Sequence, residues 1–421
     1  MKPATAPPAP PLTSPTSAMA GARPLPFTEA ELSAPTSADP SWMLEALALA
    51  RLAWGRTSPN PMVGCVIVRD GEVVARGYHR RAGGPHAEAA AFADAASRGV
   101  SVQGATLVVT LEPCSFHGRT PPCADACVAQ GVGRVVLGTL DPNPRVSGAG
   151  VRRLLDAGIA VTVGVEEAAC RRQNAPFFTV MERGRPHVTA KVAMSLDGKL
   201  ATRMGASFPL TGELARERVH VLRDRIDAIL VGRRTAALDD PRLTCRLPAS
   251  LAAEGGPRDP LRIVLDPRLQ LPITQKVFNL TADGSSRAST WLVVAEDASA
   301  SPGHLAALEA RGVEVVRCPH GPGGLDLAAL LTLLAQRGIL SVLVEGGGTV
   351  LASLLEAGLI DVWVAHIAPR LIGGQDALTP LEGLGAATLA DAARTRPLSC
   401  RSLGEDIEIV AAVAGDVYGF D

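Results

Sequence analysis

The stretch between His86 and Cys127 limits what this chain can fold into more than any other part of the sequence. It contains His86, then Cys114, and then Cys123 after a spacer of eight residues. Histidine nitrogen and cysteine sulfur are common ligands of Zn²⁺, and three protein ligands leave one tetrahedral position open to water, as in catalytic zinc sites. We therefore predict one Zn²⁺ held by His86, Cys114 and Cys123, with water as the fourth ligand.

Glu88 follows the histidine by two residues, and this spacing does not favour both side chains as ligands of one ion. His-x-Glu followed by Pro-Cys is the signature of zinc deaminases, in which the glutamate moves protons while water attacks a ring carbon that carries an amino group. We predict this catalytic role for Glu88. A structural zinc module is an alternative, but it would fill all four ligand positions and leave Glu88 without a role.

Cys127 is a second candidate for the third ligand. Nucleoside deaminases have Cys-x-x-Cys, whereas Cys114 and Cys123 are nine positions apart here. Cys127 would lie on the same face of the helix that Cys123 begins. Pro121 and Pro122 mark Cys123 as the helix start, so we rank Cys127 second and expect it to be a small core residue.

The overall composition gives no reason to expect a nucleic-acid or membrane partner. The formal net charge of the 421 residues is −1 and only 3% of them are aromatic, so neither a basic surface nor a base-stacking surface is expected. No apolar run reaches the roughly 18 residues that a membrane span requires. Eight cysteines without a secretory leader indicate reduced thiols. We expect a cytoplasmic enzyme that acts on a small molecule and forms a homo-oligomer.

Residues 1–40 are rich in proline, alanine, serine and threonine and contain few large apolar residues. Such a segment buries too little surface to offset its ordering entropy, so we predict a disordered tail. A targeting peptide is the alternative. Glu29, Glu31 and Asp39 disfavour it, because transit peptides contain few acidic residues.

Residues 41–184 alternate between helix and strand patterns, which predicts a three-layer α/β domain. Ser41 is a good N-cap for the first helix, and Asp70-Gly71 predicts a tight hairpin turn. The expected helices are 42–56, 87–98, 123–130 and 151–157, and the expected strands are 62–69, 72–77, 105–110, 134–138 and 160–165.

A short polar hinge near Arg185 separates this domain from a second one at residues 185–421. The expected strands there are 187–194, 228–231, 262–266, 291–295 and 340–344, and the expected helices are 213–223, 325–337 and one from Val350. The strand 340–344 leads through Glu345-Gly346-Gly347-Gly348-Thr349 into the last helix, which predicts a phosphate cradle of backbone amides. The turn is not Gly-x-Gly-x-x-Gly, and no acidic residue follows at the Rossmann distance, so a Rossmann domain is disfavoured.

Five motifs of the first domain occur together: Pro59-Asn60-Pro61-Met62-Val63-Gly64, Pro85-His86-Ala87-Glu88, Thr110-Leu111-Glu112-Pro113-Cys114, His117-Gly118-Arg119-Thr120-Pro121-Pro122-Cys123 and Asp141-Pro142-Asn143-Pro144. The chain from about residue 42 onward resembles the bifunctional deaminase/reductase family of riboflavin biosynthesis, in which the eight-residue spacer is the normal form. The resemblance implies a cytidine deaminase-like three-layer α/β/α domain with the zinc ligands and the Glu88 role given above. It also implies that Asn60, His117 and Asp141 contact a phosphoribosylated diaminopyrimidine.

The second domain carries further motifs of the same family: Lys191-Val-Ala-Met-Ser195-Leu-Asp197-Gly198, Arg223, the segment 235–241, Arg246 and Leu343-Val-Glu345-Gly-Gly-Gly. They imply a dihydrofolate reductase-like α/β fold that binds NADPH. The implied cofactor contacts are Ala193, Pro209, Thr235, Asp239, Gly347, Gly348, Thr349 and Val350. The implied substrate contacts are Ser207, Arg223, Leu243, Arg246 and Glu345. Pro209 stands where the family usually has an aromatic residue.

The resulting prediction is a two-step enzyme. The first domain removes the ring amino group of 2,5-diamino-6-(5-phosphoribosylamino)pyrimidin-4(3H)-one, and the second reduces the ribosyl chain of the product to ribityl with hydride from NADPH. The alternative is a cytidine or tRNA deaminase fused to an unrelated domain. That alternative predicts Cys-x-x-Cys and, for RNA, a basic surface, and the sequence has neither.

Overall fold

The computed structural model describes residues 25–116, 121–143, 146–204, 209–279, 289–299 and 301–413. Within these residues the first part of the chain forms a five-stranded sheet and the second part forms a nine-stranded sheet. Two very short strands pair with each other as a third sheet. No helix in the described ranges has both the length and the apolar composition needed to cross a membrane.

The first sheet and its helices come from residues 29–183. After a 3-10 helix (Glu29–Glu31), the α-helices are α1 (Asp39–Arg51), α2 (Ala87–Ser97), α3 (Cys123–Ala129), α4 (Ala149–Asp156), α5 (Glu167–Gln173) and α6 (Ala175–Arg183). The strands are β1 (Gly64–Arg69), β2 (Glu72–Tyr78), β3 (Thr106–Val109), β4 (Arg134–Leu137) and β5 (Ala160–Val163). Their order is β2-β1-β3-β4-β5, with β3, β4 and β5 parallel and β1 antiparallel to both neighbours.

Alternating side chains of this sheet enter two separate cores. On β1, Cys65 and Ile67 pack with α2, α3 and α4. Val66 and Val68 pack with α1 on the opposite face. Successive residues of a strand point to opposite sides, so helices cover both faces and the predicted three-layer arrangement is confirmed. The predicted turn at Asp70-Gly71 joins the paired ends of β1 and β2.

The second sheet is built from residues 187–412. The helices around it are α7 (Glu213–Arg225), α8 (Arg233–Asp239), α9 (Pro302–Glu309), α10 (Leu327–Gln336) and α11 (Gly348–Glu356), with a 3-10 helix at Lys276–Phe278. The strands are β6 (His187–Ser195), β7 (Ala228–Gly232), β8 (Leu261–Leu265), β9 (Thr290–Ala295), β10 (Val313–Cys318), β11 (His320–Gly321), β12 (Gly324–Leu325), β13 (Ser341–Glu345), β14 (Val362–Ala368), β15 (Arg396–Leu403) and β16 (Asp406–Ala412). The short strands β11 and β12 form the third sheet.

The nine strands have the order β10-β9-β8-β7-β13-β6-β14-β16-β15. The first seven strands in this spatial order, β10-β9-β8-β7-β13-β6-β14, are parallel to one another. Strand β16 runs antiparallel to its two neighbours, β14 and β15. On β7, Ala228 and Leu230 enter one core while Ile229 and Val231 enter another, so this sheet is also covered on both faces. Because parallel strands end at the same edge, the C-terminal ends of β6 and β13 lie together near the sheet centre.

Residues 25–40 differ from the prediction of a disordered tail. The N–H of Ser33 donates to the carbonyl of Val161 at 2.7 Å. The carboxylate of Asp39 is buried and pairs with Arg134 at 2.6 Å. These partners are more than ninety positions away in the sequence, so composition alone gives no indication of them. Residues 1–24 lie outside the described residues.

Helix α1 begins and ends earlier than predicted. It starts at Asp39 rather than after Ser41, with Pro40 in its first turn, where a missing N–H is not needed for the helix. It ends at Arg51 rather than near Arg56. The elements α5, α6, α8, α9, β10 to β12 and β14 to β16 are absent from the sequence-based prediction. The edge strand β15 illustrates the reason, since its side chains are mostly exposed and only pairing with β16 defines it.

A buried ion pair lies where the chain passes from its first part into its second. Arg185 donates to both carboxylate oxygens of Asp361, at 2.6 and 2.8 Å. Asp361 also accepts the N–H of Val188 at 2.8 Å, at the start of β6. The predicted polar hinge near Arg185 is therefore fixed in place by long-range contacts.

Arg56 makes the main polar contact between the two parts. Its Nη2 donates to both carboxylate oxygens of Asp224, at 2.9 and 3.0 Å, and to the carbonyl of Gly256 at 2.8 Å. The backbones also approach closely, because a Cβ on Gly55 would lie 2.7 Å from the carbonyl oxygen of Asp224. Trp54 adds a cation–π contact with Arg225, whose guanidinium carbon is 4.4 Å from the ring centre.

We expect Asp224→Asn to destabilise the protein by about 3 kcal/mol, because it neutralises the buried carboxylate that pairs with Arg56, whose side chain is only 11% exposed. The midpoint of urea denaturation, followed by far-ultraviolet circular dichroism, measures the effect. The matched control is Glu254→Gln, which removes the exposed partner of Arg80 on the same interface. Exposed pairs contribute little, so equal shifts for the two variants would contradict the importance of the buried pair.

Candidate metal centre and cofactor site

The three predicted zinc ligands meet where two helices begin near the end of β3. His86 is the N-cap of α2, Cys123 is the first residue of α3, and Cys114 lies in the loop that follows β3. The Nδ1 of His86 is 3.6 Å from the Sγ of Cys114 and 3.3 Å from the Sγ of Cys123. All three donor atoms lie within 4.8 Å of one another.

This spacing fits a tetrahedral zinc ion. With Zn–N bonds of about 2.1 Å and Zn–S bonds of about 2.3 Å, neighbouring donors of a tetrahedron are about 3.6 Å apart. The electrostatics also favour a cation. Hydrogen bonds to Cys114 lower the pKa of its thiol; the bond with the Cys123 thiol has the largest effect, and the bond with His86 acts in the same direction. The N–H of Cys123 also donates to the Sγ of Cys114 at 3.3 Å. A thiolate is the form that binds a metal.

Glu88 lies in the first turn of α2 beside this group. Its side chain is buried, and burial raises the pKa of its carboxyl, with the charge on Cys114 acting in the same direction. A carboxyl with a raised pKa near a metal-bound reactant suits proton transfer at neutral pH. The geometry therefore supports the predicted role of Glu88.

Cys127 occupies a different environment from the three donors. It is fully buried in the apolar core between α2, α3 and α4. Burial raises the pKa of its thiol well above the ordinary value. Among the described residues, the group with metal-binding geometry consists of His86, Cys114 and Cys123. The arrangement supports Cys123 over Cys127 as the third ligand.

Two of the predicted deaminase substrate residues lie near the metal centre. Asn60 Nδ2 is 3.1 Å from His79 Nε2, and the rings of His79 and His86 are 5.7 Å apart. Burial, with the charge on Cys114, raises the pKa of Asp141. His117 lies outside the described residues.

His79 is a site residue that the sequence reasoning missed. Its Nδ1 is 2.9 Å from the carbonyl of Pro85, so Nδ1 carries the proton and Nε2 accepts from the amide of Asn60. Burial lowers the pKa of His79, which is consistent with this neutral form. No sequence motif signals the role, because it depends on contacts with two turns that are distant from each other.

The predicted reductase substrate residues Arg223 and Glu345 form a bidentate ion pair. Arg223 Nε and Nη2 donate to the two Glu345 oxygens at 2.8 and 2.6 Å, and Nη1 donates to the carbonyl of Thr244 at 3.0 Å. Burial acts to raise the pKa of Glu345, but Arg223 outweighs it and the pKa is lowered. Lys191, the β6 residue in register with Glu345, adds a cation whose pKa burial lowers. Lys191 belongs to a family motif, but its position beside Glu345 depends on strand pairing that the motif does not record.

Arg246 and Leu243 lie on the segment that passes Arg223. Arg246 is exposed, and its N–H donates to Nδ1 of His220 at 3.2 Å. His220 lies one helical turn before Arg223 on α7, and the sequence reasoning missed it. Leu243 is buried and has φ of 54°, a conformation that is strained for a branched side chain. Such strain persists only where surrounding contacts enforce it.

The predicted cofactor turn connects β13 to α11. Gly346 and Gly347 have φ of 91° and 86°, which glycine adopts without strain. A Cβ on Gly347 would lie 3.5 Å from Oγ1 of Thr235, so the turn and α8 are in close contact. The backbone N–H groups at the start of α11 are available to an anion such as a phosphate. The turn therefore fits the phosphate groups of NADPH, although the Thr349 hydroxyl donates to Glu382 at 2.9 Å.

The remaining cofactor positions are more scattered. Ala193 is half-buried on β6, Asp239 is the exposed last residue of α8, and Pro209 is exposed. Ser207 lies outside the described residues. The structure thus brings Thr235 together with Gly346 and Gly347, while Gly348 lies against Glu382 and Thr379.

Two family models match the chain. The RibD C-terminal domain matches residues 186–409, and the cytidine and deoxycytidylate deaminase zinc-binding region matches residues 36–139. The riboflavin biosynthesis protein RibD of Aquifex aeolicus is 40% identical over 371 residues, which are 88% of this chain and 97% of that protein. The Escherichia coli protein of the same name is 40% identical over 377 residues, 88% of this chain and 98% of that protein.

Two solved structures resemble the whole described fold. Acinetobacter baumannii RibD has a TM-score of 0.78 at 35% identity, covering 90% of this chain and 99% of that one. The diaminohydroxyphosphoribosylaminopyrimidine deaminase/5-amino-6-(5-phosphoribosylamino)uracil reductase of Thermotoga maritima has a TM-score of 0.77 at 34% identity, covering 89% and 99%. These findings confirm the predicted fold class, a cytidine deaminase-like domain followed by a dihydrofolate reductase-like domain.

We expect Cys123→Ala to lose zinc, because two ligands do not fix a tetrahedral ion, whereas Cys127→Ala should retain it. Metal analysis of the purified variants, with folding checked by circular dichroism, distinguishes the two. Retention of zinc in Cys123→Ala together with loss in Cys127→Ala would reverse the ligand assignment.

Proposed function

This chain belongs to the RibD family of riboflavin-biosynthesis proteins, and we propose how its residues carry out the two reactions of that family. It is a bifunctional enzyme with a zinc-binding deaminase domain and a reductase domain that uses NADPH. The proposed domains are residues 41–184 and 185–421. The proposed substrate is 2,5-diamino-6-(5-phosphoribosylamino)pyrimidin-4(3H)-one, which is deaminated first and then reduced to the ribityl form.

The three donor atoms at tetrahedral spacing beside the buried Glu88 are the observation that carries the deaminase proposal. His86, Cys114 and Cys123 hold the ion. When bound, zinc lowers the pKa of water and so supplies a nucleophile at neutral pH. Glu88 would take both protons from this water, delivering one to the adjacent ring nitrogen and one to the amino group, so that the amino group leaves as ammonia and the ring carbon becomes a carbonyl.

Asn60, Asp141 and His117 are the proposed substrate contacts of the deaminase. The Asn60 amide donates to His79, so its oxygen is left to accept a hydrogen bond from the pyrimidine. The Asp141 carboxylate accepts the N–H of Asn143 at 2.8 Å, which orients the carboxylate at the end of β4. For His117 the support is the family resemblance.

In the reductase, NADPH supplies the hydride that no side chain can provide. Residues 347–350 and Thr235 are proposed to bind the cofactor phosphates, because the glycine turn that leads into α11 lies beside Thr235 and the first N–H groups of a helix have no partner within it. Ala193, Pro209 and Asp239 are the other proposed cofactor contacts.

The proposed substrate contacts of the reductase surround the Arg223–Glu345 pair. Arg223 holds the carboxylate of Glu345 in one orientation, from which it can accept hydrogen bonds from the ribose. Arg246 presents an exposed guanidinium that suits the substrate phosphate, since its planar donors match phosphate oxygens. Ser207 and Leu243 complete this set.

We propose that the enzyme is cytoplasmic and forms a homo-oligomer. All eight cysteines are free, which suits a reducing compartment. Leu371, Leu384 and Leu389 are almost fully exposed within residues 369–395, and exposed apolar side chains in one segment favour association.

We expect Glu88→Gln to keep zinc and lower the deamination rate by about 10²–10⁴-fold, because the amide cannot accept the proton. Mass spectrometry of the phosphoribosyl diaminopyrimidine, with and without NADPH, follows both reactions. The exposed Glu72→Gln on β2 is the matched control. Near-normal deamination by Glu88→Gln would rule out this mechanism.

We expect Arg246→Ala to raise the reductase KM for the phosphorylated substrate about tenfold or more, with Arg246→Lys restoring only part of the loss. The Kd for NADPH, measured by fluorescence, should stay constant. Arg242→Ala, an exposed arginine on the same segment, is the control. An unchanged KM, or an effect mainly on NADPH, would show that other residues hold the phosphate.

A further inference from the structure

Glu112 differs from the other buried acidic residues of the first domain, because its carboxylate accepts four backbone hydrogen bonds. Its Oε2 accepts from the N–H groups of Asp141 and Gly148, at 3.1 and 2.9 Å. Its Oε1 accepts from the N–H groups of Gly150 and Val151, at 2.8 and 3.3 Å. The residue is only 6% exposed. All four donors belong to the segment between β4 and the first turn of α4.

The backbone around Glu112 is fixed as well. Its own N–H donates to the carbonyl of Thr139 at 3.0 Å. A Cβ on Gly150 would lie 2.1 Å from the carbonyl oxygen of Pro113. Helix α4 therefore packs directly on the backbone that connects Glu112 to the proposed zinc ligand Cys114.

Residues 141–143 and 146–148, called here the Glu112-bound segment, form several hydrogen bonds among themselves. Asp141 Oδ1 accepts from Asn143 at 2.8 Å, and the carbonyl of Asn143 accepts from Val146 and Ser147 at 3.0 and 2.9 Å. These bonds shape the segment but do not fix its distance from the metal centre. The Glu112 carboxylate bonds both ends of the segment, and it lies two residues before Cys114 in the chain.

We propose that Glu112 is a positioning residue of the deaminase, which sets residues 141–143 and 146–148 against the candidate metal centre so that the substrate is held between them. This inference rests on the proposed role of this segment, and of Asp141 in particular, in binding substrate. Glu112 touches neither the reacting atoms nor the metal, and it acts through the backbone of the segment. A glutamine of the same size cannot replace it, because its NH₂ group would face N–H donors.

The first test is Glu112→Gln, with three measurements. Hydrogen exchange of the amides of residues 141, 148, 150 and 151 should become about tenfold faster or more, because half of their acceptors are lost. Zinc content should stay near that of the unaltered enzyme. The deaminase KM should rise about tenfold with kcat within about twofold, since a displaced segment weakens binding but leaves Glu88 and the metal in place.

A second variant perturbs the same contact from the other side. Gly150→Ala leaves the carboxylate intact but forces α4 away from Pro113 and Glu112, so it should give the same KM rise and the same faster exchange. Gly303→Ala is its matched control, because a Cβ there meets no atom within 4 Å. Asp266→Asn is the control for Glu112→Gln. Its carboxylate is also buried and accepts the N–H groups of Gln270 and Leu271, but in the reductase half.

Faster exchange with a KM rise in both test variants, and normal deaminase KM in both controls, supports the proposal. Unchanged exchange at the amides of residues 141, 148, 150 and 151, a fall in kcat at constant KM, or loss of zinc overturns it. Asp141→Asn distinguishes the substrate-binding role of Asp141 from the positioning role of Glu112. If it leaves KM normal while Glu112→Gln raises it, the role of Asp141 fails and the positioning role of Glu112 stands through another residue of the segment.

Discussion

Buried carboxylates that accept bonds from backbone N–H groups and arginines connect the elements on which both sites depend. Asp361 binds Arg185 at the crossing between the two halves. Asp227 accepts the N–H groups of Leu340 and Ser341 at the start of β13, the strand that ends at Glu345. Leaving a buried acceptor without its hydrogen-bond partner costs far more free energy of folding than leaving an exposed one. These contacts therefore leave the chain few alternative arrangements.

The arrangement of the candidate metal ligands was the most predictable part of the molecule. His86 and Glu88 are two residues apart, and the helix that positions both begins at His86 itself. Pro122 likewise marks the start of α3 at Cys123. The geometry of such a motif depends on local backbone structure, which the sequence specifies directly. The spacer of eight residues between the cysteines became interpretable only through the family resemblance.

The rest of the site depends on contacts between distant residues, which no short motif records. His79 contributes because Asn60, nineteen positions earlier, lies against it. Residues 25–40 are held by partners as distant as Val161 and Arg134. The strand β15 was missed because its side chains are mostly exposed and its pairing with β16 defines it. Patterns of hydrophobicity predict which residues are buried, but they do not predict which distant partner buries them.

Arg223 and Asp224 are consecutive residues of α7 that face different halves of the enzyme. Arg223 binds Glu345 in the reductase, while Asp224 binds Arg56, four residues before Asn60 of the deaminase. A helical turn moves as a unit, so any shift of α7 that suits one contact also displaces the other. The two catalytic halves are therefore not freely exchangeable modules. A chimaera that combines halves from two relatives would have to inherit a compatible pair at positions 56 and 224 for both of its sites to keep their shape.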